Sequence, residues 1–298
     1  MEAGAISSPT TEREALHALY EQMVRVRTVD ARLAALGDAG RIGFLPRTLG
    51  REAALVGALD GLEDGDWLFP THADWALALL RGMDVATFAH RVFGTASDPL
   101  KGRDIPSGVS AKGLNVASVS APAATHLPHA VGVAWSARRR GEDVVSVALF
   151  DGPEVDAADF HTGVNFAGVM KAPTIFLCRV REGEPGSAEH AVAYGVHAVE
   201  CDGTDPAAVS RAVREARERA LAGEGPTLID VVLKGDDDAM ARVDGVDEAG
   251  IRKRTEESLS SAFDAATRAS EPALGTLFSD VYEAVPPHLD RQRDEIVR

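Results

Sequence analysis

Cysteine is scarce in this chain: among 298 residues there are two, Cys178 and Cys201. Both lie in apolar, strand-like stretches, which fits small buried hydrophobes in a reducing compartment better than a disulfide. Basic residues are outnumbered, with 31 Lys and Arg against 46 Asp and Glu and a net charge of -15. That balance argues against a nucleic-acid partner, which needs clustered Lys and Arg, and favours solubility. No apolar run approaches the roughly 20 residues that cross a bilayer. The opening MEAGAISSPTTEREAL has no basic stretch followed by an apolar one, so neither a signal peptide nor a membrane partner is expected, and the expected location is cytoplasmic. Also absent are a Gly-x-Ser-x-Gly elbow, a His-Glu-x-x-His pair, a Walker loop and a Gly-x-Gly-x-x-Gly after a strand. Nucleophilic hydrolysis, zinc peptidase chemistry and the common nucleotide folds therefore have no support.

What is present is alternation. Residues 11–35 carry Leu16, Leu19, Tyr20, Met23 and Val24 or Val26 at helical spacing behind a Thr and Glu capping signal, predicting an amphipathic helix. GREAALVGALDGL, ADWALALLRGM, DVATFAHRVFG and APAATHLPHAVGVAWSARRRG predict further helices. The pattern then changes to short Val- and Ile-rich runs bounded by turn residues, at 143–150, 172–180, 197–203 and 226–234. Helical segments such as AADFHTGVNFAGVM and DPAAVSRAVREARERALAGEG separate them. Strands alternating with helices predict parallel pairing, and runs apolar on both sides predict a sheet covered on both faces. The expected class is α/β, a doubly wound, mostly parallel sheet with helical N- and C-terminal flanks. Residues 1–15 are expected to be a flexible N-terminus and 16–298 one domain, because no Pro/Gly/Ser linker divides them. Pro286 and Pro287 suit the start of a last helix. The acidic stretch 235–248, GDDDAMARVDGVDE, reads as a solvated loop, since its spacing fails the EF-hand pattern.

The segments RIGFLPRTLGREAALVGA, LEDGDWLFP, LNVASVSAPAATHLPHAVGVA, DFHTGVNFAGVMKAPTIFLC, YGVHAVECDGTDPAAVSRAVREARERALAGEGPTLIDVV and LFSDVYEAVPPHLDRQRDEI occur in order from about Tyr20 to Ile296. Together they resemble the alpha subunit of the thiamine diphosphate-dependent 2-oxo acid dehydrogenases of pyruvate and branched-chain type. The resemblance implies a thiamine diphosphate-binding fold, a beta-subunit partner in an alpha2beta2 heterotetramer, and a lipoyl acyltransferase complex as the wider assembly. It also implies decarboxylation of a 2-oxo acid with acyl transfer to lipoamide, the difficult chemistry belonging to the cofactor. The Glu that activates the cofactor comes from the beta chain in that family.

Carried onto this chain, the resemblance places thiamine diphosphate near His72, Leu127, Asp151, Gly152 and Arg181, with Asp151 as the candidate ligand of Mg2+. Several of these positions depart from the family pattern. A Gly-Asp-Gly turn becomes Asp151, Gly152 and Pro153, so that the metal-binding Asp is Gly152, or Asp151 if one residue is skipped. An Asn-Asn pair that would give oxygens to the metal becomes Val180 and Arg181, and Mg2+ demands near-octahedral oxygen ligands. A Tyr-Arg-x-His segment becomes His72, Ala73, Asp74 and Trp75, which removes the phosphate-pairing Arg. A later His-aromatic pair becomes Gly108 and Val109. The loop that holds a His and phosphorylation sites in the family becomes LKGDDDAMARVDG, without His, Ser or Thr.

Other residues admit two readings. Arg181 either forks onto a phosphate from the end of its strand, replacing the metal, or pairs with Glu182 or Glu184 in RVREGE. His161 suits helix packing more than catalysis. His126 and His129, three apart, lack a third partner for a metal. Asp151, Glu154, Asp156 and Asp159 could hold a divalent ion, or simply favour a helix N-terminus. Three functions follow: a structural or regulatory pseudo-subunit pairing with a beta chain or with a true alpha chain, which the lost ligands favour; an active dehydrogenase or carboligase alpha subunit with a rebuilt diphosphate site; and a small-ligand module using the old cleft.

Overall fold

A computed structural model describes residues 12–234, 243 and 245–296. The loop expected at 235–248 therefore lies mostly outside the described residues, as do residues 1–11. Helix α1 (Glu12–Asp38) leads into α2 (Glu52–Asp60), strand β1 (Trp67–Phe69), a 3-10 turn (His72–Asp74), α3 (Ala76–Leu80) and α4 (Val85–Phe93). Then come α5 (His126–Arg140), β2 (Ser146–Asp151), a second 3-10 turn (Gly152–Asp156), α6 (Ala158–Met170) and β3 (Thr174–Arg181). The chain continues through α7 (Ala188–Ala193), β4 (His197–Asp202), α8 (Pro206–Leu221), β5 (Thr227–Leu233), α9 (Glu248–Arg268), α10 (Thr276–Ser279) and α11 (Pro287–Ile296).

The five strands form one sheet in the order β1-β2-β3-β5-β4, every pair parallel. Alternate residues on each strand face opposite sides, and both sides are apolar. Leu68, Val147, Leu149, Ile175, Leu177, Ile229 and Val231 share a core with residues of α1, α2, α4, α8 and α9. Phe69, Ala148, Phe150, Phe176, Cys178 and Leu228 share the other with α5, α6 and α7. Helices thus cover both faces, as the continuous apolar strands require.

Local chemistry sets the helix ends. Asp84 caps α4 through the Ala86 and Thr87 amides, and Gly94 closes it in the left-handed conformation at φ 62°. Asp205 caps α8 with Pro206 in its first turn. Two glycines bring α2 against α8: a Cβ on Gly57 would run into the Pro206 carbonyl oxygen, and one on Gly61 would come within 2.8 Å of the Ser210 carbonyl oxygen. The segment ADWALALLRGM does not form one helix. Asp74 caps the 3-10 turn through the Thr71 amide at 2.8 Å and hydroxyl at 2.7 Å, and the chain bends before α3. Near the C-terminus, the stretch LGTLFSDVYEAV forms only the four helical residues of α10.

Candidate functional site

The carboxyl ends of β2 and β3 lie where doubly wound sheets bind their ligands. Parallel register sets Asp151, the last residue of β2, directly beside Arg179 on β3. The 3-10 turn after β1 brings Asp74 to the same spot, and the loop before α2 adds Arg51. Arg179, with no exposed side-chain surface, donates from Nε to Asp151 Oδ1 at 2.9 Å and from a terminal nitrogen to Asp74 Oδ1. Asp74 is equally buried. Arg51 donates to the other Asp151 oxygen at 3.1 Å. Two guanidiniums and two carboxylates thus form a continuous chain, Arg51, Asp151, Arg179, Asp74.

The surrounding loops are tied to this cluster. Asp30 accepts from Arg47 Nε at 2.5 Å and from the Thr48 amide at 2.7 Å, while the Thr48 hydroxyl donates to the Ala73 carbonyl at 2.8 Å. Trp75 donates from Nε1 to the Pro46 carbonyl at 3.2 Å. These bonds hold the segment carrying Arg51 against the turn carrying Asp74. Glu154 accepts from the Ala124 amide at 2.6 Å and the Asp151 amide at 3.0 Å, closing the turn after β2. Burial alone would raise the Asp151 carboxyl, yet Arg179 and Arg51 hold it below the usual Asp value. Burial works against the Arg179 charge too, and the carboxylates of Asp74 and Asp151 override it, so the guanidinium stays protonated.

The residues singled out from the sequence are dispersed around this cluster. Asp151 is at its centre, and Gly152 opens the following turn, where an added Cβ would meet Val180 Cγ1 at 3.4 Å. Arg181 is exposed at the end of β3, its amide donating to Glu184 Oε2 at 3.2 Å. His72 shares a hydrogen bond of 3.1 Å between Nδ1 and the Ser107 hydroxyl, outside the cluster. Leu127 is wholly buried in the core between α5 and the sheet. Val180 is buried and apolar; Val109 belongs to the opposite core. His126 is buried, its Nε2 placed 2.7 Å from the Leu149 carbonyl and so bearing the proton, whereas His129 is exposed. His161 meets the Tyr194 hydroxyl at 3.0 Å and packs edge-on against Phe160 and tilted against His190, a packing role. Among the described residues no group of three or more His, Cys, Asp or Glu side chains could hold a metal ion. Sequence reasoning passed over Arg179 and Arg51. The available signal was an Arg inside a run apolar on both faces, which must find a carboxylate to be buried at all.

Comparison with known proteins agrees with this frame. Residues 20–233 match the family described as dehydrogenase E1 component. The 2-oxoisovalerate dehydrogenase subunit alpha of Bacillus subtilis is 35% identical over 74% of this chain and 71% of its own. The mitochondrial 2-oxoisovalerate dehydrogenase subunit alpha of Mus musculus is 29% identical over 97% and 76%, and subunit alpha 1 of Arabidopsis thaliana is 30% identical over 95% and 70%. Among solved structures, a transketolase from Pichia stipitis in complex with a xylulose phosphate superposes with a TM-score of 0.51 at 14% identity, over 85% of this chain. This chain spans 45% of that one, and the likeness concerns the fold. Sequence and fold converge: the chain belongs to the dehydrogenase E1 component family, among the alpha subunits of the 2-oxo acid dehydrogenases.

Proposed function

We propose that this chain is an alpha-type subunit with a structural or regulatory role, pairing with a beta chain in a cytoplasmic heterotetramer and holding neither Mg2+ nor thiamine diphosphate in the family's manner. One observation carries the reading: both oxygens of Asp151, the candidate metal ligand once one residue is skipped, are engaged by guanidiniums. A divalent cation entering there would have to displace two cations, and Val180 offers it no oxygen. The residues present do not fit a metal-bound diphosphate. Under this reading the 2-oxo acid chemistry named for the relatives, and any lipoyl acyltransferase complex, belong to the assembly in which the chain is embedded. A second reading has one observation in its favour. The Arg51 side chain is 25% exposed beside the cluster and could turn to a diphosphate without metal, as in an active dehydrogenase or carboligase with a rebuilt site.

The test is calorimetric titration of thiamine diphosphate, with and without Mg2+, into the chain copurified with its beta partner. The expected result is no binding by an intact, folded assembly. Micromolar binding that disappears in Asp151→Ala or Arg51→Ala would overturn the proposal in favour of the second reading.

A further inference from the structure

A groove of about 350 Å³ opens away from the Arg179 cluster, between α1, α9 and the segment joining α3 to α4. Its floor is apolar: Val26, Val29, Trp75, Met83 and Ile251 line it, together with Leu259. Its rim is polar and cationic, with Arg25 on α1 and Arg254, Thr255 and Ser258 on α9. No carboxylate lines it among the described residues, although Asp and Glu outnumber Lys and Arg by 46 to 31 in the chain. Arg25 is shared with Glu21 at 2.5 Å, one turn back on α1. Arg254 is exposed and has no ion pair among the described residues.

The volume lies at the lower end of those of small-molecule sites, and an apolar body with a few convergent polar groups is how such sites are built. The charge of the rim selects the ligand. Guanidiniums fork onto carboxylate or phosphate oxygens, and the Ser258 hydroxyl supplies a further donor on the same side, that of Thr255 being given to the Ile251 carbonyl at 2.9 Å. A cation would meet two like charges there, and a neutral molecule would leave the guanidiniums unused. We infer that this groove binds a small amphipathic anion, with a short aliphatic body on the Val29, Trp75 and Met83 floor and a carboxylate or phosphate head between Arg25 and Arg254. The site goes beyond the proposed role and shares no side chain with the Arg179 cluster, so either can fail without the other.

The experiment titrates octanoate and octyl phosphate into the full-length chain, with octylamine and octanol as controls. Calorimetry gives the affinity, and tryptophan fluorescence reads the groove through Trp75. At least one of the two anions should saturate, at least tenfold tighter than octylamine or octanol. The one that binds better identifies the head group. Arg254→Glu should weaken it tenfold or more, Arg254→Lys should retain part of the affinity, and Met83→Trp, which fills the body of the groove, should abolish it. Arg254 is exposed, so its variants test the site without disturbing the core. Binding by neither anion, binding of octylamine as tight as that of the anions, or an affinity unchanged by Arg254→Glu and Met83→Trp would each overturn the inference.

Discussion

Replacing Asp74 by Asn tests the cluster at its most buried point. Asp74 and Arg179 both have fully buried side chains and are bonded to each other. Removing the Asp74 charge leaves the Arg179 guanidinium to Asp151 alone, whose side chain is 34% exposed and already shared with Arg51. Breaking one partner of a buried pair costs about 3–5 kcal/mol, because the surviving charge stays desolvated. Asn keeps the shape and can still accept from Thr71, so the expected loss is near the lower limit, about 3 kcal/mol. For domains of a few hundred residues each kcal/mol moves the midpoint by about 2–4 °C, which gives a fall of roughly 6–12 °C in Tm. Urea unfolding followed by circular dichroism measures the loss directly, and differential scanning calorimetry measures Tm. Two controls sharpen the result. Glu142→Gln, which breaks an exposed pair with Arg140, should leave stability unchanged within error. The double variant Asp74→Leu with Arg179→Met should recover most of the loss, since an apolar pair of similar volume needs no desolvated charge. A loss below about 1 kcal/mol for Asp74→Asn, or a double variant as unstable as the single one, would refute the account of the cluster as a charge-compensated unit.

Other outcomes follow from the same structure. Burial pushes the Cys178 thiol up to about 12 and the Cys201 thiol up to about 11, so a thiol reagent at pH 8 should label neither in the folded protein and both in urea; rapid labelling of Cys178 would contradict its place in the core. Burial lowers the His126 pKa from 6.5, with the Leu149 hydrogen bond working against it. The unfolded chain therefore binds the proton more readily, and stability present above pH 6.5 should fall as the pH drops through the depressed folded value; in His126→Gln this part of the pH dependence should vanish from urea midpoints. Asp151 has a depressed pKa, so its contribution should be present above the ordinary 3.8 and lost only as the pH falls through the lower folded value; Asp151→Asn should destabilise at pH 7 and converge on the parent under acid. Gly57→Ala should cost about 1–3 kcal/mol by driving α2 away from α8, a loss that calorimetry would detect.

Four of the five strands were legible because each is a short apolar run between turn residues; β4 and β5 fall inside the ranges their composition predicts, and β2 and β3 run one residue beyond theirs, to Asp151 and Arg181. Strand β1 was not, since Trp67, Leu68 and Phe69 are too few to show a period. The order of the strands is a property of crossover connections and leaves no mark on any one segment. Helix α7 also escaped notice. Its six residues are held by Asp230 on β5, which accepts from the Ser187 amide at 2.9 Å and the Ala188 amide at 3.2 Å, a cap supplied from 42 residues away. The site was legible only in part for the same reason. Asp151 was identified through the family resemblance, but its partners depend on register and on contacts across 105 residues between Asp74 and Arg179. Attention went instead to Arg181, two residues further along the strand and exposed. Parity along β3 does not separate the two Arg, since both lie on the same side; depth does, because Arg179 is buried within the strand and Arg181 is exposed at its last position, opposite Leu233.

Under the proposed reading, the Arg179 cluster also explains how the frame stands without a bound metal. Four chain segments converge at the ends of β2 and β3: the loop before α2, the turn after β1, and the two strands themselves. Each brings a charge, and none can be buried alone, since an isolated ion in such a place costs several kcal/mol even after relaxation. A bound metal and anion are one way to compensate such charges. Here the compensation is internal: Arg179 spans Asp74 and Asp151, and Arg51 completes Asp151 from outside. Making position 179 neutral without also changing Asp74 would leave a buried carboxylate with no cation beside it. Under the proposed reading, restoring a metal site therefore requires the coordinated removal of Arg51 and Arg179 together with new oxygen ligands at 180 and 181. Single changes such as Val180→Asn should leave Mg2+ binding undetectable by calorimetry, while Val180→Asn combined with Arg179→Gln, Asp74→Asn, Arg51→Gln and Arg181→Asn should be the smallest set that gains it. Mg2+ binding by Val180→Asn alone would show that the guanidiniums do not close the site.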